Sequence, residues 1–240
     1  VSYVINALEV LDVVFQLVLI FFLLRGPYRR YVTLFTYSIA FLAVTTFEAI
    51  FTHLPNYDKA LYRRIYWSDE VATDLLFFLV VISLTNLALE GSPQRPRMSR
   101  ILLGIVLVVL ILPFLILHPA FFTSGLHWST EWGHWFNSTS QMLNFGAAIM
   151  NLALWSALLT SRKRDPQLVK VSIGVGVAVA GQAIGFGIRR FLPTTPGSRD
   201  VPDIFMAMTH LLGVLLWCSA FRPKPKPSPA AQSVTLTQPQ

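Results

Sequence analysis

The chain has 240 residues, 54% of them apolar and 13% charged, with a mean hydropathy of +0.56. Soluble domains carry about a quarter charged residues, so an ordinary water-soluble globule is excluded. The lone cysteine, Cys218, excludes a disulfide scaffold, a cysteine zinc site and a dithiol relay, and the formal charge of +7 must be weighed against membrane topology before nucleic acid is invoked.

Seven apolar runs meet the roughly 17–25 residues a helix needs to cross about 30 Å of hydrocarbon. In chain order they are Val4–Leu24, Val32–Thr52, Val71–Leu89, Ile101–Leu117, Gln141–Thr160, Val171–Ile188 and Ile204–Phe221. Period-2 strands are missing from the pattern, and an open sheet cannot sit in lipid with unpaired backbone groups. The expected fold is all-α: a polytopic seven-transmembrane-helix bundle over residues 1–221, followed by a Pro-rich, disordered cytoplasmic tail at 222–240. The first run has no basic leader and contains Glu9 and Asp12, so it reads as a retained span and not as a cleaved signal peptide. The tail reads as a solvated end, or else as a docking strand, and no output domain is expected beside the bundle.

Basic residues set the orientation. Arg25, Arg29 and Arg30 follow the first span, Arg95, Arg97 and Arg100 the third, Arg162, Lys163, Arg164 and Lys170 the fifth, and Arg222, Lys224 and Lys226 the seventh. The opposite side carries Lys59, Arg63, Arg64, Arg189, Arg190 and Arg199. The excess places the N-terminus outside and the C-terminus inside. It also accounts for the net charge without nucleic acid.

Ionisable side chains are costly in hydrocarbon, so they mark the bundle interior or a function. In the first span, Asn6, Glu9, Asp12 and Gln16 follow steps of three, three and four, which is one helical stripe. The second span carries Thr45, Glu48 and Thr52. The third opens with Asp69 and Glu70 and continues to Asp74, and the seventh carries Asp203 and His210. With the N-terminus outside, these acids gather near the outer ends of their helices. The candidate ligand- or ion-binding residues are Glu9, Asp12, Glu48, Glu70, Asp74, Asp203 and His210. One reading is a structural ion-pair network with Arg63, Arg64, Arg189 and Arg190 as partners, since buried charges must be paired. The other is a polar pocket open to the outside that takes a cation, a proton or a small amine. Glu48→Ala should destabilise folding under the first reading and abolish only ligand response under the second.

The loop from His118 to Ser140 is the longest outside connection. Within it His127, Glu131 and His134 fall at i, i+4 and i+7, with Trp128, Trp132 and Trp135 on the adjoining face. Such a face could supply zinc-type ligands. Alternatively, it is an interfacial helix with tryptophans at headgroup level, interrupted by Gly133. In the fifth span Gln141, Asn144 and Asn151 can bond between helices or line a cavity. The sixth is a small-residue helix, and Gly181-xxx-Gly185 predicts close contact with a neighbouring helix or a homodimer face.

Several seven-helix chemistries fail on residue content. The last span has no lysine for a retinal Schiff base. His210 is the one intramembrane histidine, too few for a membrane zinc hydrolase or a haem protein, so no cofactor is expected. One resemblance survives, carried by Arg29-Arg30 before an aromatic-rich second span, by Leu61-Tyr-Arg-Arg-Ile-Tyr-Trp67, and by Ile173-Gly-Val-Gly176. Together these resemble an uncharacterised bacterial seven-transmembrane-helix membrane protein family, broadly similar to the seven-helix sensory regions joined to bacterial kinases. The resemblance implies a multi-pass protein of the bacterial inner (plasma) membrane.

The sequence therefore predicts a receptor-like, ligand-binding membrane protein. Its partners would be the lipid bilayer, a separate cytoplasmic signalling partner, and a second copy through the sixth helix. A proton- or cation-coupled transporter is the alternative, and it predicts a continuous polar path. A membrane enzyme using His210 with Asp203 or Glu48 as acid and base comes third, because no nucleophile or metal set stands beside them.

Overall fold

The computed structural model describes residues 2–52, 58–90, 95–123, 130–160, 165–191 and 200–223. Among these, seven helices follow one another: α1 (Ser2–Arg25), α2 (Val32–Thr52), α3 (Lys59–Ala88), α4 (Arg95–Thr123), α5 (Thr130–Thr160), α6 (Pro166–Phe191) and α7 (Asp200–Phe221). No strand occurs among the described residues. Residues 224–240 of the expected tail lie outside them.

Many of these residues are β-branched or aromatic and are middling helix formers in water. In hydrocarbon the backbone has no water to bond, so helix is the conformation that satisfies each segment internally. Polar residues at the ends then decide where each helix starts and stops. The Gly26 amide closes the last turn of α1 onto the Leu23 carbonyl at 3.1 Å, and Pro27, which has no N–H, ends it. Asp58 caps α3, accepting from the Leu61 amide at 3.3 Å. Asp165 caps α6, accepting from the Gln167 amide at 2.9 Å, with Pro166 in the first helical position.

These caps correct the sequence-derived boundaries. The third helix begins at Lys59 and not at Val71, and the fifth at Thr130 and not at Gln141. Asp69 and Glu70 therefore lie ten residues inside α3, about 15 Å from its start. Arg63 and Arg64 are on α3 itself and not in the connection before it. Most of the expected 118–140 loop is also helical, since α4 continues to Thr123 and α5 runs unbroken through Gly133. Apolar runs mark only the thickness of the hydrocarbon. A helix of about 45 Å also crosses the headgroup layers, where its residues turn polar and the hydropathy signal fades.

Side-chain contacts give the helix directions. Trp67 stacks on Phe136 with centroids 6.2 Å apart, Asp74 bonds Asn144, and Phe78 abuts Gly146. Residue numbers rise together, so α3 and α5 are parallel. On α1 and α7 the pairs Asp12–His210 and Phe15–Cys218 also rise together. By contrast, α6 and α7 are antiparallel from Gln167–Ala220 at one end to Arg189–Asp203 at the other. Along that crossing Gly174 faces Trp217, Gly181 faces Thr209, and Gly185 faces Met206, so the two backbones approach closely. The expected close contact of the sixth helix is thus made with α7. The same glycines cannot also serve as a homodimer face, because α7 already covers them.

Six helices, α1, α2, α3, α5, α6 and α7, are long and apolar enough to cross a membrane, as in a multi-pass membrane protein. Outward-facing positions such as Val10, Leu17, Leu152 and Leu159 are exposed and apolar, which water would penalise and lipid tails accept. Between the helices Leu19, Leu23, Leu34, Phe78, Met150 and Leu154 are fully buried.

The two ends of the bundle differ in charge. Arg25, Arg29, Arg30, Lys170 and Arg222 lie at one, called here the basic end. There Arg30 pairs with Asp165 at 2.7 Å, joining the α1–α2 turn to the start of α6. Beside them Tyr31 packs edge-on against Phe221. Burial pushes the Tyr31 hydroxyl up to about 12, so it stays neutral, and its oxygen has no hydrogen-bond partner. The other, acidic end carries Glu9, Glu48, Asp69, Glu70, Asp200 and Asp203.

Candidate functional site

From the acidic end the polar side chains descend into the bundle in steps. At the rim, Glu9 on α1 is exposed, and Glu48 on α2 is half-buried within electrostatic reach of Asp69, Glu9 and Glu70. One carboxylate oxygen of Asp69 is buried without a hydrogen-bond partner. Arg64, Ile65, Ser68 and Asp69 line an open depression of about 420 Å³ on the flank of α3. Of the acidic group only Asp69 reaches it.

Opposite, Arg189 on α6 clamps Asp203 on α7, its Nε donating to Asp203 Oδ1 at 2.9 Å and its terminal nitrogen approaching the same oxygen. Glu70 lies in the field of Arg189. The sequence-derived ion-pair network is thereby reduced to a narrower arrangement. Arg189 serves Asp203 and Glu70, and Arg63 and Arg64 lie on the exposed face of α3. The Arg190 side chain lies outside the described residues.

One step deeper, between α3 and α5, Asp74 accepts hydrogen bonds from the Ser140 hydroxyl and from Asn144 Nδ2, the latter at 3.0 Å. Both reach Oδ2. Asn144 also donates to the Ser140 carbonyl at 3.1 Å, so the carboxylate is gripped by one turn of α5.

Deepest lies a string from three helices. His210 Nδ1 is 3.2 Å from Asp12 Oδ1, and its Nε2 is 2.9 Å from the Tyr37 hydroxyl. Asp12 and His210 each sit ten residues from the start of their helices, about 15 Å in. Equal depth is what two parallel helices require. Asp12 and His210 are each 8% exposed and Tyr37 3%, so bulk water does not screen the pair. Phe41 stacks on the imidazole at 4.6 Å, and Trp217 meets both His210 and Tyr37 edge-on. Tyr37 lies within electrostatic reach of both Asp12 and Asp74. One turn below Asp12 on the same face, Gln16 is fully buried and neither of its amide atoms has a partner.

Below this level no carboxylate, imidazole or basic side chain is buried among the described residues. The buried serine and threonine hydroxyls there are consumed by their own helices: Ser38 donates to Leu34, Thr85 to Val81 and Ser172 to Val169. The Tyr31 hydroxyl and Asn151 Oδ1 are neutral exceptions, both unpartnered.

The structure thus brings Asp12 and His210 into contact, sets Asp74 in a separate cradle on α5, and leaves Glu9, Glu48 and Glu70 at the rim. Tyr37 and Ser140 were missed by the sequence reading. Tyr37 hides in an aromatic-rich run, where only its four-residue spacing from Phe41 hints at a shared face. His127 lies outside the described residues, as do the side chains of Glu131 and His134. Among the described residues no group of three or more His, Cys, Asp and Glu side chains is poised to hold a metal. The chain matches no family model, no curated protein and no solved structure.

Proposed function

We propose that this is a receptor-like, ligand-binding protein of the bacterial plasma membrane, with seven spans, the N-terminus outside and the C-terminus inside. In this reading the acidic end faces outward, because the basic residues collect at the other end and basic loops stay cytoplasmic. A crossing by α4 is supported by the parallel run of α3 and α5: the chain between them must return through the same thickness. Exposed apolar side chains on α4, among them Leu103, Leu107 and Val108, suit a lipid-facing helix. The resemblance to bacterial seven-helix sensory regions belongs to the same proposal. A separate cytoplasmic partner would read the basic end, where the Arg30–Asp165 pair couples two connections.

The observation that carries the reading is the one-sided descent of carboxylates, closed below by apolar packing and by hydroxyls committed to their own helices. A well closed at the bottom binds from one side. A transporter needs polar groups through its full depth, and the inner half supplies only neutral ones. The acidic lining calls for a cationic ligand, held by Asp74 and by the Glu48–Asp69–Glu70 rim.

Two measurements test this. In purified protein, a panel of monovalent and divalent metal ions and simple amines should raise the thermal midpoint. Asp74→Asn should erase that rise while leaving the unliganded midpoint nearly unchanged. A panel with no response would sink the reading. For topology, cysteines are placed singly at Leu61 and Arg29 in a Cys218→Ser background. An impermeant maleimide applied to intact spheroplasts should label position 61 and spare position 29; the reverse pattern inverts the proposed orientation.

A further inference from the structure

We infer that the Asp12–His210–Tyr37 string is a proton-binding site loaded from the acidic face, and that Tyr37 reports its occupancy by reversing its hydrogen bond. The inference rests on the outward-facing acidic well proposed above and names the ligand of its deepest part.

Both imidazole nitrogens are engaged, so each protonation state sets the direction of both hydrogen bonds. An ionised carboxylate only accepts, so a neutral His210 carries its hydrogen on Nδ1 and donates to Asp12. Its Nε2 is then a lone pair, and the Tyr37 hydroxyl donates to it across 2.9 Å. On the imidazole an added proton has a single place, the Nε2 lone pair, whereas a proton taken by Asp12 would leave the Tyr37 hydrogen bond unturned. The imidazolium then donates from both nitrogens, and Tyr37 must turn from donor to acceptor. Its own hydrogen swings off the imidazole toward another acceptor. Asp74 is the carboxylate in its field, and both bonds Asp74 already accepts fall on Oδ2, which leaves Oδ1 for the turned hydroxyl. No electrons move and no bond between heavy atoms forms or breaks. The buried pair passes from a net charge of −1 to zero.

An independent observation points to the same place. Gln16 is 0% exposed, sits one turn from Asp12 on its face, and has both amide atoms unpartnered. Buried polar atoms of that kind ordinarily hold water, and water there would hydrogen-bond the string from its closed side while protons arrive from the acidic end. The charged and titratable groups facing His210 are few. They are Asp12 from α1, Tyr37 from α2, Asp74 from α3 by way of Tyr37, and Cys218 on α7 itself, within reach of Asp12. At this level α6 presents Gly181 toward Thr209, and its Arg189 is already engaged with Asp203 nearer the rim. Carboxylates lead toward the acidic end, whereas Trp217, Leu19 and Leu34 block the way to the basic end.

Trp217 provides the test, because its indole meets the His210 ring edge-on at 6.5 Å and a charged imidazole quenches indole emission. Full-length protein is placed in lipid nanodiscs and titrated from about pH 8.5 to 4.5, a range that brackets imidazole chemistry. The signal is the emission lost in Trp217→Phe. A one-proton quenching step is expected, absent from His210→Asn. At the same midpoint the infrared C–O stretch of Tyr37, assigned by its loss in Tyr37→Phe, should shift from the donor to the acceptor position. In proteoliposomes of known orientation, acidifying the acidic-end side alone should reproduce the quench. Absence of the step, its survival in His210→Asn, an unmoved Tyr37 band, or a quench driven only from the basic end each overturns the inference. Should His210→Asn fail to fold, His210→Gln serves in its place, and the Tyr37 band read in the unmutated protein stands by itself. The cation-driven thermal shift and its loss in Asp74→Asn are read at fixed pH, so the well can pass while the proton site fails, and the converse.

Discussion

Gly174→Ala is expected to lower stability by about 3 kcal/mol, the upper part of the range for overpacking a tight core, measured as unfolding in mild detergent. A methyl at this position would lie 2.5 Å from Trp217 Nε1 and 2.8 Å from the Gly213 carbonyl oxygen. Neither neighbour can move freely. The indole is anchored by its hydrogen bond to the Val171 carbonyl at 3.0 Å, and the other contact is backbone. The crossing of α6 and α7 would have to open, and α7 also carries His210. Gly187 supplies the control, because a methyl there would meet nothing within 4 Å. Gly187→Ala should be neutral or stabilising by up to about 1 kcal/mol, the helix-propensity gain of alanine over glycine. Equal losses at both sites would mean that α6 and α7 do not cross as described.

The second large effect is expected at Asp74. Asp74→Ala removes the acceptor of two buried donors, Ser140 and Asn144, and should cost about 1–3 kcal/mol, the penalty for leaving buried polar groups unsatisfied. Asp74→Asn keeps an accepting oxygen in the same place and should cost much less. The double variant Asp74→Leu with Asn144→Leu should recover part of the loss, because it removes one of the two unmet donors and leaves only the Ser140 hydroxyl. A cycle in which the two losses simply add would show that the α3–α5 bond contributes nothing to stability. Asp74→Asn also separates folding from function: fold and thermal midpoint persist while the cation response disappears.

This separation bears on the two sequence-derived readings of the acidic cluster. A structural ion-pair network would match each acid with an arginine. Arg189 does so for Asp203, and Arg30 does so for Asp165 at the far end. The deep acids are different. Asp74 is held by neutral donors and Asp12 by an imidazole, so neither is neutralised by a permanently charged partner.

Much of the molecule was legible from residue type and spacing. Apolar run lengths located the helices, because hydrocarbon thickness fixes how many residues a crossing takes, and the expected all-α bundle stands. The three-and-four spacing of Asp12 and Gln16 marked a face, and both are buried on it. Glu9, on the same expected stripe, is exposed at the rim, since one helix face spans both the bundle interior and the mouth. Gly181-xxx-Gly185 announced a close helix contact, but only the fold chose α7 as the partner. Helix ends were misjudged at α3 and α5, because the caps and polar extensions lie where hydropathy is silent. Which side chains meet was decided by tertiary structure alone. The meeting of Asp12, His210 and Tyr37 depends on α1 and α7 running parallel at equal depth with Tyr37 reaching the imidazole from α2. Local periodicity records the face of each helix, but not its neighbour or its rotation, and those are set by packing over the whole bundle.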